Sequence, residues 1–283
     1  MHPHAAALKA LLGTPGVHAM PGCADGMGAR LIAEAGFKLG FVSGASASAL
    51  RLAQPDMDLL SLPEMRDAVD MCTAAAPDVL WLADGDTGFG NALNVQRTVR
   101  ACAQAGAAAV LIEDKVYPRP LGRDGRKFVL DRAEARLRCR AAAEACREAG
   151  ILLLARTDAT HTRGFGEALQ RLEDFVAEGA DILFLDSPQS EDEIRATVAA
   201  CAGRPAMAVT LAGAKHHMPP AADLDRLGVK LNVSPHDLLA AAVRAMRGAL
   251  ADLQGVPRPD LDLASAIRLP EYLAADRRWA TPD

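Results

Sequence analysis

Two aspartates separated by a glycine, Asp84 and Asp86, directly follow an apolar run at Val79–Ala83. Strand side chains two residues apart point to the same side, so both carboxylates could face one point if the extended conformation continues. Carboxylates that close repel each other unless a cation or a shared proton stabilises them. The spacing is therefore typical of a site for a hard divalent metal such as Mg²⁺, which prefers oxygen ligands. The alternative is a polar turn with solvated aspartates, which is the simpler interpretation of an isolated Asp-x-Asp.

Eight short apolar runs are spaced along the chain, and each is followed by a segment with helical character. They do not alternate between apolar and polar residues, which indicates burial on both faces, as in a parallel sheet covered by helices. Eight such units are the number in a TIM barrel, so we predict a single α/β domain, a (β/α)8 TIM barrel, over residues 1–283. An open doubly wound sheet is the alternative. The runs lie at 17–20, 39–42, 79–83, 109–112, 151–155, 181–185, 206–209 and 229–233.

The composition argues against several classes of protein. Half of the 283 residues are hydrophobic, which suffices for a large core, and a net charge of −5 disfavours a general nucleic-acid or membrane-surface binder. The sequence shows neither a membrane-spanning apolar run nor a signal pattern. The six cysteines are scattered without a Cys-x-x-Cys pair, which favours a reducing compartment over disulfides or structural zinc. We therefore expect a soluble, cytoplasmic protein.

Polar residues follow the predicted strands, at the end where the active sites of such barrels lie. Four carboxylates, an arginine and a histidine would meet at one mouth, which favours the metal site over the solvated turn. The residues at these strand ends are Ser43, Gly44, Asp84, Asp86, Glu113, Arg156, Asp186, Ser187, Thr210, Asn232 and His236.

Three of these carboxylates, on Asp84, Asp86 and Glu113, form an acidic cluster suited to Mg²⁺ held partly through water, with Mn²⁺ as a substitute. A bound divalent cation would polarise the carbonyl of a 2-oxo acid and stabilise an enolate as the neighbouring bond breaks. We therefore expect cleavage or formation of a bond β to a carboxylate, although the residues do not specify which bond.

The remaining groups suit an anionic substrate. Arg156 carries a planar fork of donors that matches a carboxylate. Ser43 and the backbone N–H groups of Gly44-Ala45 could hold a second carboxylate oxygen. The predicted small-molecule partner is thus a 2-oxo carboxylate.

Four motifs occur in order along the chain: Phe41-Val42-Ser43-Gly44, Asp84-Gly85-Asp86-Thr87-Gly88-Phe89-Gly90-Asn91, Ile112-Glu113-Asp114-Lys115 and Ala155-Arg156-Thr157-Asp158. Together they resemble the isocitrate lyase/phosphoenolpyruvate mutase superfamily over almost the whole length, and the second motif is highly specific. The resemblance implies a Mg²⁺-dependent (β/α)8 barrel that acts on 2-oxo or 2-hydroxy acids through enolate-like intermediates. It also implies a homo-oligomer, a dimer of dimers in which the last helix is swapped between paired subunits.

The resemblance also assigns roles by position. Asp84 would bind Mg²⁺ directly, and three carboxylates would act through water: Asp56, Asp86 and Glu113. Four positions would hold the substrate: Ser43, Gly44, Ala45 and Arg156.

The segment 115–127 discriminates between the branches of the superfamily. The carbon–carbon lyases carry a Lys-Lys/Arg-Cys-Gly-His loop here, whereas this segment has neither cysteine nor histidine, which disfavours an isocitrate or methylisocitrate lyase. The phosphonate branch shares the Glu-Asp-Lys but has an asparagine that is missing here. The oxaloacetate decarboxylase branch fits best, through Leu121-Gly122-Arg123, Gly90–Val95 and His236.

We therefore predict Mg²⁺-dependent decarboxylation of oxaloacetate to pyruvate and CO₂, with Glu113, Arg156 and His236 as catalytic residues. His236 would place the far carboxylate or deliver a proton, and its alternative is a surface-loop histidine. Three other functions stay open: a lyase of the methylisocitrate or dimethylmalate type, a phosphonopyruvate or phosphoenolpyruvate mutase or hydrolase, and a non-catalytic 2-oxo-acid-binding protein.

Three further features lead to predictions. A basic run after the fourth strand is either a solvated loop or a mobile lid: Arg119, Arg123, Arg126 and Lys127. His216-His217 are expected in an exposed loop, and residues 257–283 are expected to form a C-terminal helical extension that caps the barrel or is swapped. Finally, Gly85, Gly88 and Gly90 would let the backbone pass close to the metal and its bound acid.

Overall fold

Eight parallel strands close into a barrel in sequence order, with β1 paired to both β2 and β8. This computed structural model describes residues 1–121, 126–211 and 219–255, together with residues 274 and 278. The prediction of a (β/α)8 barrel is confirmed, and the open doubly wound sheet is excluded because the sheet has no edge. The strands are β1 His18–Cys23, β2 Leu39–Val42, β3 Leu80–Asp84, β4 Ala109–Glu113, β5 Leu152–Thr157, β6 Ile182–Leu185, β7 Ala206–Val209 and β8 Leu231–Ser234.

Ten α-helices are seen in the described part of the chain, and a short 3₁₀ turn at Ala159–His161 follows β5. Two of them are additions to the barrel repeat: α1 precedes the first strand, and α3 lies before α4 between the second and third strands. The helices are α1 Pro3–Leu12, α2 Gly26–Glu34, α3 Gly44–Leu52, α4 Leu62–Ala75, α5 Ala92–Gln104, α6 Arg132–Ala149, α7 Phe165–Glu178, α8 Glu191–Ala200, α9 Ala221–Arg226 and α10 Asp237–Gln254.

The hydrophobic core has two principal layers, because successive side chains on each strand point to opposite faces. Inward-facing residues such as Leu82 and Phe184 fill the barrel, and α1 closes its lower end with Leu8. Outward-facing residues such as Trp81 pack against the helices, and the Trp81 indole N–H donates to the Ala76 carbonyl at 3.0 Å. On β3 this alternation directs Leu82 into the barrel and Asp84 to its upper, C-terminal end.

Two local features differ from the sequence pattern. The first strand continues through Pro21-Gly22 to Cys23, although these residues were expected to end it. Helix α4 was not recognised from the sequence, although Ser61 and Glu64 form a capping box at its start. Within the described residues, no helix combines the length and apolarity needed to cross a membrane.

Candidate active site

The two aspartates at the end of β3, one the last residue of the strand and one in the turn after it, border the same glycine. Asp84 Oδ2 accepts a 3.0 Å hydrogen bond from the Gly44 amide, and Asp84 Oδ1 accepts one of 3.2 Å from the Asp86 amide. A β-carbon at Gly44 would lie 3.1 Å from Asp84 Oδ2 and 3.3 Å from Asp86 Oδ1. The backbone at Asp86 is left-handed, with φ +46°, so the extended conformation that the spacing predicts does not continue to this residue. A turn brings the second carboxylate to the same place.

The aspartates carry more negative charge than their surroundings neutralise. Burial and the charge of Glu113 raise the pKa of Asp84 to about 6, although Arg156 opposes the shift. Burial, together with the charges of Asp84 and Asp56, raises the pKa of Asp86 well above its ordinary value. Carboxylates held this way are stabilised by a cation. The donor set is all oxygen, as Mg²⁺ requires. The glycine at position 44 keeps a side chain away from these oxygens, since a β-carbon there would crowd them.

Glu113 lies at the end of β4, directly opposite Arg156 on β5. Arg156 Nη1 lies 3.2 Å from Glu113 Oε2, and the guanidinium stacks 5.1 Å from the centre of the Phe184 ring. Lys115 Nζ lies 3.0 Å from Glu113 Oε1, although this oxygen accepts no hydrogen bond among the described residues. Glu113 therefore faces two cations, one beside each of its carboxylate oxygens.

The Arg156 guanidinium is already ion-paired on both of its terminal nitrogens. Nη2 lies 2.7 Å from Asp158 Oδ1 and 3.6 Å from Asp186 Oδ1, whereas Nε has no hydrogen-bond partner in the described part of the chain. A substrate carboxylate bound by Arg156 would therefore share the guanidinium with these acids.

A second group of polar residues lies beside Arg156 and was not predicted as a unit. Lys127 Nζ lies 2.7 Å from Asp158 Oδ1 and 2.8 Å from Asp186 Oδ2, and His161 Nε2 lies 2.9 Å from the same Asp186 oxygen. Ligand atoms of Asp158, His161 and Asp186 lie within 4.8 Å of one another, as in a metal site. The Lys127 ammonium lies between the two carboxylates, so it supplies their cation.

Sequence position did signal part of this second group. Asp158 and Asp186 each directly follow a strand, as the predicted metal ligands do. The position of Lys127 could not be predicted in this way, because the residue lies in the long connection between β4 and α6.

The predicted substrate-binding residues Ser43, Gly44 and Ala45 form the start of α3. Ser43 caps the helix, since its hydroxyl accepts from the Ser46 amide at 3.2 Å, and its own amide donates to the Cys23 carbonyl at 3.0 Å. The Gly44 amide donates to Asp84, so it holds the aspartate in place. Ala45 is partly exposed beside them.

Asp56 and His236 lie on another side of the mouth. The Asp56 side chain is 45% exposed. His236 is half-buried at the start of α10, and burial lowers its pKa although the nearby Asp56 acts to raise it. A lowered pKa favours the neutral imidazole at neutral pH. Behind it, the Ser46 hydroxyl donates to the Pro235 carbonyl at 2.9 Å and connects this loop to α3.

Two of the predicted glycine roles have a different explanation. A β-carbon at Gly85 would lie 2.6 Å from the Leu111 carbonyl, and one at Gly88 would lie 2.4 Å from the Val95 side chain. Glycine is therefore needed at these two positions because the backbone packs closely against β4 and α5. The glycine that borders the aspartates is Gly44.

Several predictions fall outside the described residues, namely those on Gly122, Arg123, His216, His217 and the extension 257–283 apart from residues 274 and 278. The cysteines are all described, and all six are buried free thiols.

A closed parallel barrel with carboxylates and an arginine at the C-terminal ends of its strands is the arrangement of (β/α)8-barrel enzymes. Residues 8–254 match the family described as phosphoenolpyruvate phosphomutase. The chain belongs to this family, and so to the isocitrate lyase/phosphoenolpyruvate mutase superfamily, as its motifs predicted.

Named relatives include lyases, decarboxylases and a carboxyvinyl-carboxyphosphonate phosphorylmutase. The chain is 35% identical to 2,3-dimethylmalate lyase of Eubacterium barkeri, over 86% of this chain and 83% of the relative. It is 36% identical to an oxaloacetate decarboxylase of Paraburkholderia xenovorans (strain LB400), over 80% and 74% of the two chains. Among solved structures, oxaloacetate acetylhydrolase in complex with 3,3-difluorooxalacetate superimposes with a TM-score of 0.84 at 31% identity, covering 99% of this chain and 98% of that one.

Proposed function

We propose that this protein is a divalent-metal-dependent lyase that decarboxylates oxaloacetate to pyruvate and CO₂. The observation that carries the proposal is the pair of carboxylates around Gly44, with Glu113 and Arg156 at the same end of the barrel. Such a site suits an acid whose carbonyl must be polarised and whose carboxylate must be held.

The metal would be held by Asp84, with Asp86, Glu113 and Asp56 around it. Mg²⁺ fits this oxygen donor set, and Mn²⁺ would substitute for it. The raised pKa values of the two aspartates support this assignment. So does Glu113 Oε1, which accepts no hydrogen bond among the described residues. When bound, the cation would supply electrostatic stabilisation of the negative charge that develops on the 2-oxo group.

The side chains of the protein would bind the substrate and position the water that supplies the proton. Arg156, with the start of α3, would hold the carboxylate next to the carbonyl. The bond between C3 and C4 would break, its electron pair would remain on the enolate and CO₂ would leave. His236, neutral at neutral pH, would donate its ring N–H to a water that protonates C3 and would stabilise the hydroxide that this water becomes, or the water alone would protonate C3.

The absence of an available thiol favours decarboxylation over a thiol-assisted lyase reaction. The segment 115–127 contains no cysteine, and each of the six cysteines of the chain is buried. Protonation of a small enolate by water needs no such residue. The similarity to 2,3-dimethylmalate lyase makes carbon–carbon cleavage of a branched 2-hydroxy acid the second candidate.

A substrate panel tests the proposal. Purified protein with Mg²⁺ is mixed with oxaloacetate, methylisocitrate, 2,3-dimethylmalate and phosphonopyruvate, and products are followed by ¹³C NMR against a protein-free Mg²⁺ control. We expect pyruvate from oxaloacetate at a rate that falls by at least about a thousandfold in Asp84→Ala. The exposed Asp67→Asn is the matched control for the loss of a negative charge. Turnover that survives Asp84→Ala would contradict the metal assignment, and turnover of dimethylmalate alone would favour the second candidate.

A further inference from the structure

Asp58 is a buried carboxylate with no place in the proposed reaction. It lies between α3 and α4 with a left-handed backbone, φ +62°, a conformation that aspartate tolerates better than most residues. Its side chain is 2% exposed. Burial of a carboxylate is unfavourable unless hydrogen-bond donors surround it. The donors around Asp58 therefore indicate its role.

One partner is the Lys115 ammonium, which follows β4. Lys115 Nζ donates to Asp58 Oδ1 at 2.9 Å and lies 3.0 Å from Glu113 Oε1, and its side chain is 3% exposed. Burial alone would lower the pKa of Lys115, but the charges of Glu113, Asp56 and Asp58 raise it well above its ordinary value. Lys115 is therefore a fixed cation shared between Asp58 and a proposed metal ligand.

The other partner is Arg119. Its amide donates to Asp58 Oδ2 at 2.7 Å, its Nη2 lies 3.6 Å from Asp58 Oδ1, and its Nη1 donates to Met57 Sδ at 3.5 Å. Both the backbone and the side chain of Arg119 are therefore fixed by residues 57–58.

The Arg119 guanidinium also lies beside Asp56, one of the predicted metal ligands. The Arg119 side chain is 8% exposed, Nη2 lies 4.0 Å from Asp56, and Nε is buried with no hydrogen-bond partner among the described residues. A buried N–H without an acceptor is costly, and an anionic ligand at the mouth would provide one.

We propose that Asp58 is a positioning residue that fixes Arg119, and with it Lys115, for the anionic substrate. This inference rests on the proposed function, because it takes the ligand to be a small carboxylate bound beside the metal. Asp58 acts only through its two cationic neighbours.

Asparagine is the informative substitution at this position. Asp58→Asn keeps the shape and tolerates the left-handed backbone, but its amide group is a donor that faces another donor, so only one of the two partners stays bonded. Asp58→Gly removes the carboxylate while relieving the backbone, and it gives the same test if the asparagine variant folds poorly.

The experiment measures binding of oxalate, a planar dianion, in the presence of Mn²⁺ by calorimetry. Asp58→Asn and Arg119→Met are each expected to weaken oxalate about tenfold, the effect of one charge-assisted hydrogen bond. The double variant should lose clearly less than about a hundredfold, because part of the effect of Asp58 is exerted through Arg119. The KM for oxaloacetate should rise about tenfold in Asp58→Asn, while kcat changes less than about threefold.

Hydrogen exchange of the backbone at 115–121 gives a readout that needs no ligand, and it should be faster in Asp58→Asn than in the Asp67→Asn control. Oxalate affinity and exchange that match the wild type, or losses that multiply in the double variant, would overturn the role of Asp58. Wild-type protein that binds oxalate without turning over oxaloacetate would reject the proposed function alone. Wild-type protein that does not bind oxalate would reject both.

Discussion

The ionised form of Asp84 is disfavoured by burial and by the negative charge of Glu113, which together raise its pKa to about 6. A carboxyl whose pKa is higher in the folded state than in the unfolded state binds its proton more tightly when folded. Its ionisation therefore destabilises the metal-free fold as the pH rises from about 4 to about 6. A divalent cation reverses this effect, since it binds only the ionised carboxylate.

The stabilisation by Mg²⁺ is therefore expected to depend on pH. Saturating Mg²⁺ should raise Tm clearly at about pH 7.5 and very little at about pH 5, because protonated Asp84 does not bind the ion. Differential scanning fluorimetry across this range measures the shift. Asp84→Asn is the control, and it should lack the shift at every pH. A Mg²⁺ shift of equal size at both ends of the range would contradict the assignment of Asp84.

At the scale of elements, the turn after β3 places Asp86, and its geometry depends on Gly88. This glycine has φ +82°, and a β-carbon there would lie 2.4 Å from the side chain and 2.9 Å from the Cα of Val95 on α5. Gly16 has a similar φ of +94° but open space around it. Substitution at Gly16 therefore measures backbone strain alone, whereas substitution at Gly88 measures strain together with a steric clash.

Gly88→Ala is expected to lower the free energy of unfolding by about 3 kcal/mol or more, because strain and overpacking add. Gly16→Ala should cost only about 1 kcal/mol. Urea unfolding of both variants measures the difference. Equal losses of unfolding free energy in the two variants would show that α5 shifts to accommodate the extra methyl group without a measurable loss of stability.

The sequence predicts the elements better than the loops between them. Continuous apolar runs that end in polar residues located all eight strands, and strand ends located Asp84, Glu113 and Arg156, because a parallel barrel brings those ends together. Contacts such as those of Asp58 with Lys115, 57 residues apart, depend on loop conformations that tertiary packing selects. Left-handed residues such as Asp86 escape prediction for the same reason, since the left-handed position is an aspartate and not a glycine.

At the scale of the whole molecule, α10 has an apolar face that its own barrel leaves uncovered in the described residues. Met246, Leu250 and Leu253 are 54%, 59% and 84% exposed at helical spacing, whereas only Leu239, Gly248 and Ala251 on this 18-residue helix are buried. Exposed apolar side chains in a row indicate an interaction surface. The face therefore supports the prediction of a homo-oligomer.

We expect the wild type to be a dimer of dimers, and charges on this face to disrupt it. Met246→Lys combined with Leu250→Lys should shift the mass measured by light scattering to a smaller species, because burying two ammonium groups in an interface opposes association. Leu137→Lys, at a 47% exposed leucine on α6, is the matched control and should leave the mass unchanged. A monomeric wild type would contradict the prediction. An unchanged mass in the double variant would show that this face of α10 is not the interface.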